Sequence, residues 1–315
     1  MQHQFTRRQF LHKSAGAGLA AATLGPLLPE VRAIPPLARP GSPRLLLGLA
    51  AYSFRDFFKD ADHKRDKPPP EADQMNMFQF VDYCAEHGCD GAELTSYYFP
   101  SDLTSEYLLR LKRHAFLRGV AISGTAIGNT FTYPPGEKRA AEIERTKKWV
   151  DHAAVLGAPH IRVFAGTTLG NSKEESKKLC LAALEECAEY AGAKGIILGL
   201  ENHGGIVAEA EDILEIVRAV KSPWIGINLD TGNFHTDDPY ADLERCAPYA
   251  VNVQFKVEME KRGGPKGPAD LPRVLKILRG ANYQGYLTLE YEAAENPKIA
   301  VPRHLKRMRE SLRMG

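Results

Sequence analysis

The sequence predicts an α/β fold, a single (β/α)8 barrel, and three observations predict it. Eight short apolar runs alternate with eight helical patterns, which is the signature of parallel strands joined by crossover helices. The runs recur about every 25–40 residues, a spacing that suits a closed barrel better than an open sheet. No Gly-x-Gly-x-x-Gly follows the first run, which counts against a dinucleotide-binding sheet.

Residues 1–33 are set apart from this fold. Thr6-Arg7-Arg8-Gln9-Phe10-Leu11 places paired arginines ahead of a small-residue apolar stretch from Ser14 to Leu28. Val31-Arg32-Ala33 then puts small residues where a signal peptidase reads. Together these features are expected to form a Tat-type export signal and to place the mature protein in the periplasm. The stretch is shorter than the ~20 residues that span a bilayer, so no stable membrane anchor is expected. A Pro-rich linker over 34–43 is expected to lead into the barrel domain, 44–315.

The strands are expected at 45–51 (LLLGLAA), 91–94 (GAEL), 120–126 (VAISGTA), 160–164 (HIRVF), 196–201 (IILGLE), 225–230 (IGINLD), 251–257 (VNVQFKV) and 286–291 (YLTLEY). Helical periodicity places helices near 76–87, 104–117, 137–156, 173–193, 209–220, 239–247, 270–280 and 298–312. Two connections are longer than a barrel needs. Tyr52 to Met75 carries Phe54, Phe57, Phe58 and Pro68-Pro69-Pro70, and Glu258 to Asp270 is rich in Gly and Pro. Both follow strands, so both lie on the face where barrel enzymes keep their sites, as lids or substrate walls, or else as solvated loops.

Composition narrows the function classes. Four of the 41 basic residues and one of the 39 acids fall in residues 1–33, so the remainder carries a net charge of about −1. That balance gives no electrostatic footprint for nucleic acid. The five cysteines (84, 89, 180, 187 and 246) form no Cys-x-x-Cys pair and are expected to be small buried thiols.

Side chains alternate along a strand, and in a barrel the apolar side belongs against the helices. In 225–230 the apolar side is Ile225, Ile227 and Leu229, and in 251–257 it is Val251, Val253, Phe255 and Val257. The other sides carry Asn228 and Asp230, then Asn252, Gln254 and Lys256, then Tyr286, Thr288 and Glu290, with Glu201 in the same position on 196–201. Glu201, Asp230, Gln254 and Glu290 are therefore expected to converge near the carboxyl-terminal mouth. Carboxylates crowded in a low-dielectric space must share protons, pair with cations or bind a metal. The oxygen donors suit one divalent ion, Mn²⁺ first, with Mg²⁺, Co²⁺ and Zn²⁺ as alternatives. Neutralisation by Lys256, Arg162 and His203 is the competing arrangement.

The pieces GAEL at 91–94, IRVFAG at 161–166, GLENHGG at 199–205, NLDTGN at 228–233, VQFKVE at 253–258 and LTLEYE at 287–292 occur together and in order. In this the domain resembles the xylose isomerase-like TIM-barrel family of sugar isomerases and epimerases. The resemblance implies that Glu201, Asp230 and Glu290 stand where relatives place metal-binding carboxylates. It also implies that Glu201 and Glu290 remove and return a proton next to a carbonyl, through an enediolate. Family members commonly carry a His-x-Lys sequence on the seventh strand, and this chain has Gln254-Phe255-Lys256. A glutamine oxygen holds a metal more weakly, so Gln254 puts the metal's identity in question.

His203 is expected as acid/base or substrate donor, and His235 as a second substrate contact. Glu93 and Arg162 would hold sugar hydroxyls or form an internal ion pair, and Lys256 would contact substrate or an enolate oxygen. The expected substrate is a small unphosphorylated keto-sugar, because sugar phosphates are cytoplasmic and no phosphate cradle is evident. A β leaving group would turn the same site into a lyase or dehydratase acting on 3-keto-glycosides. The competing classes are a non-catalytic carbohydrate-binding barrel, favoured by Gln254, and an endonuclease-IV-like enzyme. The latter is disfavoured by the near-neutral charge and the scarcity of strand-end histidines. The sequence leaves the oligomeric state open.

Overall fold

Residues 34–60 and 70–314 are described by a computed structural model. The expected export signal and the Pro68-Pro69 part of the first long connection lie outside them.

Eight parallel strands close a barrel in the order β1-β10-β7-β6-β5-β4-β3-β2. They are β1 (Arg44–Ala50), β2 (Gly91–Thr95), β3 (Ala121–Ala126), β4 (His160–Val163), β5 (Ile197–Glu201), β6 (Ile225–Asp230), β7 (Ala250–Phe255) and β10 (Gln284–Leu289). Two short strands, β8 (Glu258–Met259) and β9 (Gly267–Pro268), form an antiparallel ladder outside the barrel. The helices are α1 (Met77–Glu86), α2 (Ser105–Leu117), α3 (Glu137–Leu156), α4 (Lys173–Ala193), α5 (Ala210–Ala219), α6 (Pro239–Cys246), α7 (Leu271–Gly280) and α8 (Pro297–Arg313). Every expected strand and helix is present, with ends moved by a few residues.

Local chemistry fixes where the helices begin. Asn76 accepts from Phe78 N and Gln79 N while the Gln79 side chain accepts from Asn76 N, a reciprocal cap for α1. Thr104, Ser172, Asp238 and Asp270 cap α2, α4, α6 and α7 by each accepting one backbone N–H of the first turn, without the return bond. The apolar strand faces, among them Leu47, Leu49, Leu198, Leu200, Ile227, Leu229, Val253, Leu287 and Leu289, are buried against the helices. Val251 departs from the expected face. The ladder between β6 and β7 shifts between Ile227 and Asn228, and the shift turns Val251 inward, so that its methyl groups fill the space left by Gly226 and Gly199.

The segment expected as a linker is tied across the amino-terminal end of the barrel. Ile34 N donates to Arg218 O at 2.9 Å and Leu37 N to Pro248 O at 3.0 Å, while Asn282 Nδ2 donates to Arg39 O at 2.7 Å. In the first long connection, Phe54 and Phe58 are core residues. Phe58 stacks on Tyr98 with ring centroids 4.5 Å apart, and Phe54 packs edge-on against Phe80. All five cysteines are buried and free. Among the described residues no helix is long and apolar enough to cross a membrane.

Candidate functional site

The strand ladders set the height of each inward residue, and they do not place the four expected donors on one level. Glu201 is paired with Asn228, Asp230 with Gln254, and Gln254 with Thr288. Lys256 and Glu290 each lie two residues beyond the Gln254–Thr288 pair, just past the ends of β7 and β10. At this height the seventh strand therefore presents an ammonium, and Gln254 lies one layer deeper.

That deeper layer is a closed network of buried amides around Glu93. Gln254 Nε2 donates to Glu93 Oε1 at 2.6 Å and Asn252 Nδ2 to Glu93 Oε2 at 2.6 Å. Asn228 Nδ2 donates to Gln254 Oε1 at 2.6 Å, and Asn252 Nδ2 also donates to Asn228 Oδ1 at 2.8 Å. Burial, followed by the nearby charge of Glu290, pushes the Glu93 carboxyl up to about 7. Glu93 is fully buried, so the expectation that it holds a sugar hydroxyl is corrected: both its oxygens are occupied by amides.

Arg162 is corrected in the same direction. Its Nε lies 2.9 Å from Glu201 Oε2, both side chains are 4% exposed, and its Nη1 donates to Ile127 O at 2.7 Å. The guanidinium also sits 4.0 Å from the Phe164 ring centroid. This is the internal ion pair that the sequence left as the alternative. The other Glu201 oxygen, Oε1, accepts from Asn233 Nδ2 at 3.0 Å.

Lys256 holds the opposite side of the mouth. Its Nζ lies 2.6 Å from Glu290 Oε2 and 3.4 Å from Asp230 Oδ2, and it also pairs with Glu292. Burial draws the ammonium down, but Asp230, Glu290 and Glu292 outweigh it and hold the lysine well above its ordinary value. Glu290 is the reciprocal case: burial raises it, Lys256 more than offsets that, and its carboxyl is lowered overall. Glu201 and Asp230 both move up, burial being the first cause. For Glu201 the Arg162 charge opposes the shift and Glu290 adds to it, while for Asp230 the Lys256 charge opposes and both glutamates add.

Asn202 and Asn129 have structural roles that strand alternation did not reveal. Asn202 Nδ2 donates to Asp230 O and its Oδ1 accepts from Asp230 N, both at 2.9 Å, clasping the end of β6. Asn129 clasps Phe164 alike, at 2.8 and 2.9 Å. His203 is exposed and packs on Phe164, with centroids 4.4 Å apart. His235 is exposed and lines a cleft of about 210 Å³ together with Asn233, Lys256, Glu258 and Glu292. The second long connection thus supplies part of a wall, as one of the two expectations for it had it.

The donor set can be tested against a divalent ion by where its oxygens point. Glu201 faces Arg162 and Asn233, Asp230 and Glu290 converge on an ammonium, and the Gln254 oxygen is taken by Asn228. Gln254 turns its nitrogen, at 3.4 Å, toward Glu290. Among the described residues no group of three or more His, Cys, Asp or Glu side chains is gathered for a metal ion. The residue types suit a divalent cation; as folded, the Gln254 oxygen is turned to Asn228 and the carboxylates to cations and amides.

An eight-stranded parallel barrel with acids, amides and two buried cations at its carboxyl-terminal mouth defines a class of small-molecule-handling α/β barrels. The family model described as xylose isomerase-like TIM barrel matches residues 81–313, and the chain belongs to that family. Over 216 residues it is 24% identical to a 3-oxo-isoapionate decarboxylase from Pectobacterium atrosepticum, covering 67% of this chain and 68% of that protein. A crystal structure of 3-keto-D-glucoside 4-epimerase from E. coli superposes with a TM-score of 0.65 at 18% identity, covering 85% of this chain and all of that one. The IolI protein with a bound zinc atom superposes with a TM-score of 0.67 at 19% identity, covering 85% and 96%. A divalent ion is therefore found on this fold in a relative.

Proposed function

We propose that this protein is a sugar isomerase/epimerase-like enzyme that removes a proton from carbon next to the carbonyl of an unphosphorylated keto-sugar. One observation carries the reading: two residues of the cleft wall, Asn233 and Lys256, hold the two carboxylates Glu201 and Glu290 directly behind them. Each carboxylate lies within the other's field, and Arg162 adds a fixed positive charge beside Glu201. Glu201, with its raised proton affinity, is the group suited to take a proton near neutral pH. Glu290, held ionised by Lys256, shapes the field opposite it, and Glu201, which has taken the proton, is the group that holds it for return. His203 and His235, both exposed at the mouth, are placed to meet sugar hydroxyls.

The unphosphorylated substrate rests on the export reading of residues 1–33, which places the protein in the periplasm. A second reading is favoured by an inosose dehydratase from Clostridium perfringens, 24% identical over 274 residues, since dehydration is an elimination. If the enediolate carries a leaving group on the neighbouring carbon, its electron pair expels that group, and 3-keto-glycosides would lose their aglycone.

The test is incubation of purified protein with keto-sugars and 3-keto-glycosides in D₂O, with and without Mn²⁺, followed by NMR. Deuterium entering next to the carbonyl, and its loss in Glu201→Gln, are the expected results. Aglycone release would assign the lyase, and absence of both exchange and release on every sugar would overturn the enzyme reading.

A further inference from the structure

The deeper layer and the upper layer of the barrel mouth divide an otherwise single donor set. Gln254 is spent on Glu93 and Asn228, so its oxygen is not offered upward. Two residues on, Lys256 brings its ammonium between Asp230 and Glu290. The chain is built to keep it there. Lys256 N donates to Thr231 Oγ1 at 3.0 Å, which fixes the backbone at the end of β7. Gly232 leaves room for the lysine stem: a Cβ at that position would lie 2.6 Å from Lys256 Cγ. The same ammonium borders the cleft, so the charge is both anchored from below and presented to a ligand.

We propose that Lys256 replaces the divalent cation in this chain, and that the site works as a metal-free one in which the ammonium carries the charge stabilisation. The proposal rests on the proton-transfer reading given above. In the step it implies, the C–H bond next to the carbonyl breaks and its proton goes to a Glu201 carboxylate oxygen. The electron pair becomes the carbon–carbon double bond of the enediolate. The former carbonyl oxygen takes the negative charge beside the Lys256 N–H donors, in the manner of a preorganised oxyanion site. Return of the proton from Glu201 to the adjacent carbon, with the neighbouring hydroxyl proton passing to the former carbonyl oxygen, closes an isomerisation. Delivery of a solvent proton to the opposite face of the same carbon, with Glu201 giving its own to solvent, closes an epimerisation, and neither needs an oxidant or reductant.

Asp230 and Glu290 then have a changed duty. They hold and orient an ammonium, and Glu292, half-buried at the cleft rim, is the partner whose N–H donor a ligand oxygen takes over. The ligands for this charge are oxygens of a carbonyl and a neighbouring hydroxyl, which a keto-sugar supplies as a pair.

The test begins with the full-length wild-type protein and the metal alone. After dialysis, elemental analysis is expected to find no stoichiometric Mn, Zn or Mg, and titration with each ion is expected to leave the melting temperature unmoved. An ion bound stoichiometrically and lost in Asp230→Asn would overturn the proposal. A second arm uses Gln254→His combined with Lys256→Ala, which is expected to bind Zn²⁺ roughly 10-fold or more tighter than wild type. Equal affinity in the two proteins would count against the exchange of roles. In the activity arm, Lys256→Gln is expected to lose about 100-fold or more in deuterium exchange while Lys256→Arg keeps a larger share. Deuterium exchange that persists in Lys256→Gln would overturn the lysine's role. The two readings fail separately: a metal-free protein without exchange on any sugar sinks the reaction, and a metal-loaded protein with exchange sinks the substitution.

Discussion

Gln254 donates its side-chain nitrogen to Glu93 Oε1 at 2.6 Å, and this pairing settles which way the amide points. A carboxylate oxygen can only accept there, so the Gln254 oxygen is left facing Asn228. With the Gln254 oxygen held by Asn228, β7 meets Glu290 one layer higher through Lys256.

The Glu93 network is held by one acceptor for two amide donors. Glu93→Gln places a fourth NH₂ beside those of Asn228, Asn252 and Gln254, and buried unpaired donors cost roughly 1–3 kcal/mol. Urea unfolding at pH 6, where Glu93 is still largely protonated and its replacement removes no buried charge, is expected to show a loss of that order. An unchanged midpoint would mean that the network is not built around Glu93.

Arg162 and Glu201 form a desolvated pair, with both side chains 4% exposed. Removing one partner strands a buried charge, so Arg162→Met is expected to cost about 3–5 kcal/mol. The double variant Arg162→Met with Glu201→Leu is expected to regain a large part of that loss in guanidinium unfolding. Simple additivity of the two single changes would refute the coupling.

His160 is fully buried, and burial lowers its imidazole from 6.5 to about 4. The unfolded chain therefore binds a proton that the folded one refuses. Its contribution is intact above pH 6.5 and is lost as pH falls toward 4, roughly 3 kcal/mol in all. Glu93 acts in the opposite sense as pH rises from 4.5 to about 7, so the isolating measurement is a difference. The pH profile of His160→Gln is expected to be flatter than wild type by one proton below pH 6.5, and parallel profiles would contradict the assignment.

Gly205 joins the loops after β4 and β5. Its φ is +56°, and a Cβ there would run into the Gly166 carbonyl oxygen, which also accepts from Ile206 N at 3.2 Å. Gly205→Ala is expected to lower stability by about 1–3 kcal/mol, combining left-handed strain with a backbone clash. Calorimetry reads the loss, and a matching Gly204→Ala, whose Cβ meets nothing within 4 Å, is expected to cost less.

Much of the fold was legible because period-two alternation and spacing are local properties of the chain. Leu198, Leu200, Ile227, Leu229, Leu287 and Leu289 announce strands with one apolar face, and each is buried against helices as expected. Val251 was not legible, because a ladder shift is decided by two strands together and leaves no mark in either one. Asn202 and Asn129 were missed for a similar reason: a clasp needs the partner's backbone beside it.

By itself the sequence determined the barrel, the residue types at its mouth and the excess of acid over base among them. Glu201, Asp230, Glu290, Arg162 and Lys256 come to one end of the barrel because each sits at or just past a strand's carboxyl end. Only the tertiary structure decided how those charges are shared out. Inter-strand register sets Gln254 beside Glu93 and lifts Lys256 level with Glu290, so a lysine pairs with carboxylates that residue types alone had assigned to a metal. The reason is geometric: hydrogen bonds and ion pairs act over about 3 Å, and heights around a barrel follow from closure of all eight strands together.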